Sequence, residues 1–290
     1  MSKISQRPLA VIAVLVSIFS VQFGATLSEH LFPIIGVEGT TACRQGFSAL
    51  ALMLLFRPWN GMPERRHWPI IGFYGALLGV MNLTFYFAIS RLPLGIAVAL
   101  EFTGPLAVAV LSSRKWIDFL WVACAVAGLA ILLPLHGGAG HIDPLGVVFA
   151  MIAALCWGVY IIVGQKISLR TDGGKAVALG MTFSMIFTVP LGIAHAGAAL
   201  WSWPVLLMGA GAAIVSSAIP YGSEMWALKR LPAKTFSLMM SLEPAAGALM
   251  GLLLLHEALS GLQWLAIALV IAASAGSSLT AKSALDEAVA

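Results

Sequence analysis

The sequence predicts an all-α integral membrane protein with ten transmembrane helices, arranged as two inverted five-helix repeats. Of its 290 residues, 60% are apolar and only 10% are charged, whereas about a quarter of the residues in soluble domains are charged. Ten apolar runs are long enough to cross a bilayer, and a motif of the first half recurs in the second. These observations argue against a soluble fold.

Five apolar runs in the first half of the chain are followed by five in the second, each of about 18 to 22 residues. At 1.5 Å per residue, this length crosses a hydrocarbon core of roughly 30 Å, and the runs are too continuous for barrel strands. The loops between them are too short to hold a soluble domain. The predicted helices lie near residues 9–27, 38–56, 68–89, 94–112, 116–135, 145–164, 176–195, 204–225, 233–254 and 261–280.

The first run follows Lys3 and Arg7, as the apolar region of a signal peptide would. It is longer than such a region usually is, and no clear cleavage site follows. We therefore expect it to be retained as the first helix.

A duplicated motif divides the chain into two repeats. Arg91–Pro93, with Pro105 downstream, recurs as Arg230–Pro232 with Pro244 at the same spacing. We therefore expect one five-helix repeat over 1–142 and a second over 143–290. Because five is odd, the second repeat enters the membrane from the opposite side, an arrangement typical of secondary transporters.

The distribution of basic residues predicts the orientation. With the amino terminus in the cytoplasm, fourteen of the sixteen lysines and arginines fall on the cytoplasmic face, which is a strong positive-inside pattern. Both termini are therefore expected in the cytoplasm, and the net charge of +4 reflects topology rather than nucleic-acid binding. Arg91 falls in an outer loop and Arg44 within a helix. The fourteen are Lys3, Arg7, Arg57, Arg65, Arg66, Arg114, Lys115, Lys166, Arg170, Lys175, Lys229, Arg230, Lys234 and Lys282.

Glu101 is a candidate site residue because an ionisable group near the bilayer centre costs on the order of 2.5–3.5 kcal/mol. It lies about seven residues into the fourth helix, and Pro105 deprives its carbonyl of the usual helical amide. Carboxylate and freed carbonyl together form a small anionic site. Glu101 either binds a substrate ammonium or a proton, or acts as a polar clamp between helices.

Glu243 is a second buried carboxylate, predicted close to the membrane midplane directly before Pro244. The proline predicts a broken helix at this depth, the device by which carriers expose backbone groups to substrate. Burial favours the neutral form of a carboxyl group, which suits reversible protonation during transport. Glu243 therefore either couples transport to protons, as Glu101 is also expected to do, or makes a fixed interhelical hydrogen bond.

Arg44 is predicted at the same depth as Glu101, on a helix running in the same direction. It either binds a substrate carboxylate while Glu101 binds the amine, pairs with Glu101 in the empty state, or extends toward the outer surface. Glu224, near the inner end of the eighth helix and close to Lys229, either lines a cavity or pathway or is a surface ion-pair partner.

Uncharged residues give weaker signals. Trp157 lies mid-helix, whereas most tryptophans lie near predicted interfaces as an aromatic belt requires, so it is either a cavity wall or a packing residue. Asn82 and Tyr86 on the third helix are further candidates for the substrate site.

No catalytic, metal or cofactor motif accompanies these residues. The sequence contains no HExxH, Gly-x-Ser-x-Gly or GxxxxGK[ST] pattern, and its three cysteines lack the CxxC spacing of metal sites. We therefore expect no enzyme, no cofactor and no ATPase subunit. The expected partners are a small-molecule substrate, protons and the lipid bilayer, with the chain a monomer or weak dimer.

The same residues carry a family resemblance over essentially the whole chain. "PLGIAVALEFTGPLAV" at 93–108 and "RLPAKTFSLMMSLEPA" at 230–245 resemble the paired motifs of the drug/metabolite transporter superfamily, EamA type. More narrowly, "EFTGPLAVAVLSSR" at 101–114, "SEHLFP" at 28–33 and "SLEPA" at 241–245 resemble bacterial threonine and homoserine exporters.

The resemblance implies an inner-membrane exporter of small amino acids, driven by the proton gradient through alternating access. It also implies a central cavity formed by helices one to four and six to nine, with helices five and ten peripheral. The alternative is an exporter of another small metabolite or drug within the same superfamily.

Overall fold

The computed structural model describes residues 7–111, 117–132, 142–168, 172–228, 230–231, 236 and 239–280, and the regular elements within these ranges are all helical. In the first half the helices are α1 (Arg7–Glu29), α2 (Phe32–Phe56), α3 (Trp68–Ile89), α4 (Leu94–Glu101), α5 (Thr103–Leu111) and α6 (Ile117–Leu132). In the second half they are α7 (Pro144–Ser168), α8 (Gly173–Ala196), α9 (Trp203–Ala213), α10 (Ile219–Leu228), α11 (Glu243–Leu254) and α12 (Gly261–Thr280).

Five helical segments are long and apolar enough to cross a bilayer, so the chain is a multi-pass membrane protein. Helix α2 is equally long, but polar residues along its buried side lower its hydropathy. Shorter apolar helices occupy the remaining predicted segments. The five segments are Pro8–Glu29, Arg65–Ile89, Pro144–Gly164, Gly173–Trp201 and Trp203–Glu224.

Two predicted helices are broken, and a third is interrupted by an irregular turn. The fourth divides at Phe102 into α4 and α5, because Pro105 has no amide to donate to the Glu101 carbonyl. The eighth contains a π-helical turn, Ile214–Ala218, between α9 and α10. In the ninth, a turn at 241–242 precedes α11, which begins at Glu243 and ends at Leu254. Residues 232–235 and 237–238 lie outside the described residues.

The distribution of apolar and charged side chains between surface and interior is the reverse of that in a soluble protein. Large apolar side chains such as Leu155 and Phe119 are exposed, whereas Arg44, Glu101 and Glu243 are buried. Such a surface is expected against lipid, where an exposed apolar side chain costs nothing. These charged groups therefore lie inside the bundle.

The helices of the two halves pack against one another. Helix α1 contacts α10 and α11, and α7 makes the corresponding contacts with α3, α4 and α5. Helix α2 packs against α8, α4 against α11, and α6 against α12. If each helix is replaced by its counterpart in the other half, for example α1 by α7, largely the same helix pairs are obtained.

Contacts between loops identify which of them share an end of the bundle. The Lys175 ammonium donates to the Asn60 carbonyl at 2.6 Å, which joins the loop after α2 to the start of α8. At the other end, Arg91 pairs with Asp143 at 3.1 Å, joining the loop after α3 to the start of α7.

Both termini and seven of the basic residues used to predict the orientation lie outside the described residues. The seven are Lys3, Arg114, Lys115, Arg170, Lys229, Lys234 and Lys282.

Helices α5 and α7 cross closely at Gly104, inside the Glu-Phe-Thr-Gly-Pro segment. A Cβ atom added at Gly104 would overlap the Ala154 carbonyl group, which is backbone and cannot rotate away. The glycine therefore sets how near α7 comes to the helix break beside Glu101.

We expect Gly104→Ala to destabilise the protein by about 1–3 kcal/mol, because the added methyl forces α5 and α7 apart. The measurement is thermal or denaturant unfolding of the protein purified in detergent. Gly222→Ala is the matched control, since a Cβ atom at Gly222 meets no atom within 4 Å. Equal stability of the two variants would contradict this account of the crossing.

Candidate functional site

Arg44 is the centre of the buried polar interior. Its side chain on α2 is 7% exposed, and its Nη1 atom donates to the Ser216 hydroxyl at 3.2 Å. Its Nη2 atom donates to the Asn82 side-chain oxygen. The guanidinium carbon lies 4.9 Å from the centroid of the Tyr86 ring, close enough for a cation–π interaction. Arg44 therefore points into the bundle and does not extend toward the outer surface.

The partners of Arg44 come from α3 and from the π-helical turn, and α1 holds one of them in place. Asn82 and Tyr86 are four residues apart on α3, so they share one face. Ser216 comes from the π-helical turn, whose extra residue per turn changes the direction of the side chains after it. The Tyr86 hydroxyl donates to Ser28 of α1 at 2.7 Å, which holds the ring beneath the guanidinium.

Glu101 is the last residue of α4 and is 8% exposed. The Arg44 charge acts on its carboxylate, yet no ion pair within 4.0 Å joins these two described side chains. Direct pairing of the two, one of the three alternatives for Arg44, is thus not seen between these described side chains. Arg44 and the carboxyl group of Glu101 instead lie apart within one polar region.

Glu243 is the first residue of α11 and is 6% exposed. The charges of Glu224 and Glu101 both act on its carboxyl group, so Glu243 lies within electrostatic reach of each. Pro244 occupies the first turn of α11, where a missing amide costs no helical hydrogen bond. The structure thus places Pro244 at the start of a helix, whereas the sequence predicted a kink within one.

Trp157 lies beside the break between α4 and α5. Its ring on α7 meets Phe102 edge to face, with the centroids 5.5 Å apart. Since Phe102 directly follows Glu101, the indole is near the Glu101 carbonyl, to which Pro105 cannot donate. Trp157 is far along the chain from the residues around Arg44.

Glu224 lies in the first of its two predicted environments, beside a cavity. It does not project into solvent: it is partly buried, accepts a hydrogen bond from Ser17 of α1, and lines a cavity with Tyr221. Lys229, its expected partner, lies outside the described residues. The three-residue spacing of Tyr221 and Glu224, which puts both on one face of α10, is the signal that points to this cavity.

Comparisons with known proteins agree with a transporter. The profile of the EamA-like transporter family matches residues 144–279. Threonine/homoserine exporter RhtA of Salmonella typhimurium strain SL1344 is 46% identical over 273 residues, covering 94% of this chain and 92% of that protein. The protein of the same name from Escherichia coli K12 is 46% identical over 275 residues with the same coverage. These relatives are transporters and not enzymes.

A solved crystal structure supports the fold. Its protein is 18% identical to this chain, and the superposition covers 94% of this chain and 97% of the other at a TM-score of 0.58. At this identity the similarity concerns the fold alone.

We expect Asn82→Leu to destabilise the protein by about 1.5–3 kcal/mol, because it removes a partly buried acceptor from a charged donor. Thr84→Val on the same helix is the control, since the Thr84 hydroxyl bonds only to carbonyls of its own helix, at Val80 and Met81. Unfolding in detergent distinguishes them. A destabilisation of equal size in both variants would contradict a specific role for the Arg44 contact.

Proposed function

The chain belongs to the EamA-like transporter family, and we propose that it exports small amino acids such as threonine and homoserine across the bacterial inner membrane in exchange for protons. The observation that carries this proposal is the nearly full-length similarity to proteins named threonine/homoserine exporters. The described interior adds the chemistry such a substrate needs, a buried cation and buried anions without a direct ion pair between Arg44 and Glu101.

The separation of Arg44 and Glu101 suits a zwitterion. An amino acid carries a carboxylate that matches the planar guanidinium of Arg44 and an ammonium that matches a carboxylate. In our proposal Arg44 holds the substrate carboxylate and Glu101 its ammonium. Asn82 and Tyr86 orient the guanidinium, and Trp157 closes the side of the site next to the helix break.

Alternating access follows from the predicted repeats, residues 1–142 and 143–290. The break at Phe102 and the turn at Ser241 are 139 residues apart, which is also the spacing of Pro105 and Pro244. The pairing of helices between the halves, largely unchanged when the halves are exchanged, supports the same division. We propose that the two repeats rock about these breaks, opening the site to each side in turn.

Proton coupling is assigned to Glu101 and Glu243. A carboxylate among other carboxylates, away from water, gains more from a proton than a solvated one does. A proton that enters from outside neutralises a glutamate and weakens its hold on the ammonium. The amino acid is then released outward.

The proposed orientation has both termini in the cytoplasm. The end of the bundle defined by Asn60 and Lys175 is then cytoplasmic, and the end defined by Arg91 and Asp143 is outside. Arg91, the outer-loop exception to the positive-inside rule, has its charge balanced by Asp143.

We expect purified protein in liposomes to release labelled threonine and homoserine when the receiving side is made acidic, and to release less when an ionophore collapses the gradient. Protein-free liposomes report the leak. If the gradient drives efflux of a different small metabolite but of neither threonine nor homoserine, the proposed substrate is wrong and another solute of the superfamily replaces it.

We expect Glu101→Gln to insert and fold normally but to reduce this efflux at least tenfold, because the variant retains the shape of the side chain and loses its charge. Glu64→Gln is the control, since Glu64 is an exposed loop carboxylate paired with Arg66. Efflux by Glu101→Gln at the wild-type rate would rule out a role for this carboxylate in binding or coupling.

A further inference from the structure

A cavity of about 250 Å³ lies between α3, α7, α8 and α10, apart from the Arg44 contacts. Its walls include Tyr74, Tyr160, Tyr221 and Glu224, with Gly173 at the start of α8. We call it the tyrosine pocket. The volume is below the range of about 300–1,000 Å³ typical of drug-sized ligands, so the tyrosine pocket suits a small solute.

We propose that the tyrosine pocket is a cytoplasmic loading site in which Glu224 binds the ammonium group of the amino acid before the substrate reaches Arg44. This inference rests on the proposed export of amino acids and adds a second, earlier site. Glu101, the ammonium partner assigned in the central site, does not line the tyrosine pocket.

The composition of the walls selects for an organic cation. Glu224 supplies the negative charge, and the rings of Tyr74 and Tyr160 stack with centroids 4.5 Å apart to form an aromatic wall. An ammonium group is attracted both to a carboxylate and to the face of an aromatic ring. No lysine or arginine is among the described residues that line the cavity.

Glu224 is held in place from outside the cavity. The Ser17 hydroxyl of α1 donates to one of its carboxylate oxygens. A fixed carboxylate loses less side-chain entropy when it binds a ligand than a freely rotating one. The contact also links the tyrosine pocket to α1, a helix of the opposite predicted repeat.

The carboxylate of the substrate would point toward the interior. The nearest helix amino terminus, at α8, is already capped by Asp172, which accepts from Gly174 at 2.9 Å and Lys175 at 3.3 Å. Arg44, by contrast, acts electrostatically on the Tyr221 side chain. In our proposal the positive charge of Arg44 attracts the carboxylate of the substrate, so that a zwitterion with its ammonium on Glu224 has its other end toward Arg44.

The position of the tyrosine pocket fits loading rather than release. Gly173 begins the helix whose Lys175 contacts the loop carbonyl of Asn60, at the end of the bundle that the proposed orientation puts in the cytoplasm. An exporter takes up its substrate at that end.

The first test separates substrate binding from turnover. We expect Glu224→Gln to raise the KM for threonine at the cytoplasmic face at least tenfold while the maximum efflux rate changes less than threefold. Ser223→Ala is the matched control, because the Ser223 hydroxyl bonds only to carbonyls of its own helix, at Ile219 and Pro220. An unchanged KM in Glu224→Gln would overturn the loading site while leaving the proposed export intact.

The second test leaves Glu224 in place. Gly173→Cys adds a thiol in open space, since a Cβ atom there meets nothing within 4 Å. This substitution is made in a protein whose Cys43, Cys124 and Cys156 are replaced by alanine. Efflux by that cysteine-free protein is measured first, and labelling is carried out only if efflux is retained. We expect a membrane-impermeant maleimide to label the thiol from the cytoplasmic side, threonine to slow labelling at least threefold, and N-acetylthreonine, which lacks the ammonium group, not to do so.

Met62→Cys is the labelling control, because Met62 is exposed in the loop at the same end of the bundle and does not line the cavity. Equal labelling of Gly173→Cys with and without threonine would overturn the loading site. Equal protection by N-acetylthreonine would overturn ammonium recognition. Wild-type protein that transports neither threonine nor homoserine would instead overturn the proposed function, a result the efflux assay reports separately.

Discussion

Burial of Arg44 is the constraint on which the rest of the interior depends. A guanidinium in a bilayer interior needs hydrogen-bond acceptors, because each unsatisfied charged group there costs several kcal/mol. Asn82 on α3 and Ser216 in the π-helical turn provide them, while Tyr86 lies against the guanidinium. A single side chain on α2 thereby fixes the positions of helices from both halves of the chain.

Helix breaks supply the second part of the site. Backbone groups inside a membrane can leave the helical pattern only where they face protein or a polar cavity. The described breaks meet this condition, since one follows Glu101 and another precedes Glu243, both buried. Proline explains the first directly, because Pro105 cannot donate to the Glu101 carbonyl. A buried carboxyl group thus lies at each break, Glu101 before the first and Glu243 after the second.

The sequence predicted the helical fold well because the signals are local. Apolar runs mark the helices, and Trp68-Pro69 and Trp203-Pro204 begin α3 and α9 as proline at a helix start favours. The π-helical turn carries no comparable signal, so the contact of Ser216 with Arg44 was not predictable. The two alternatives for Glu224 could not be separated from the sequence, because its environment depends on Ser17, which is 207 residues away in sequence and meets it only through packing.

Charge balance links the two proposed sites. The described interior brings Glu101, Glu224 and Glu243 into one electrostatic neighbourhood with a single buried guanidinium. In a region of low dielectric, such an excess of acidic groups favours any cation that enters, either a proton or a substrate ammonium. In the proposed mechanism the two compete for the same carboxylates, so binding of one promotes release of the other. Under that proposal, exchange of an amino acid for a proton requires only that the two cations arrive from opposite sides, which the proposed alternating access would supply.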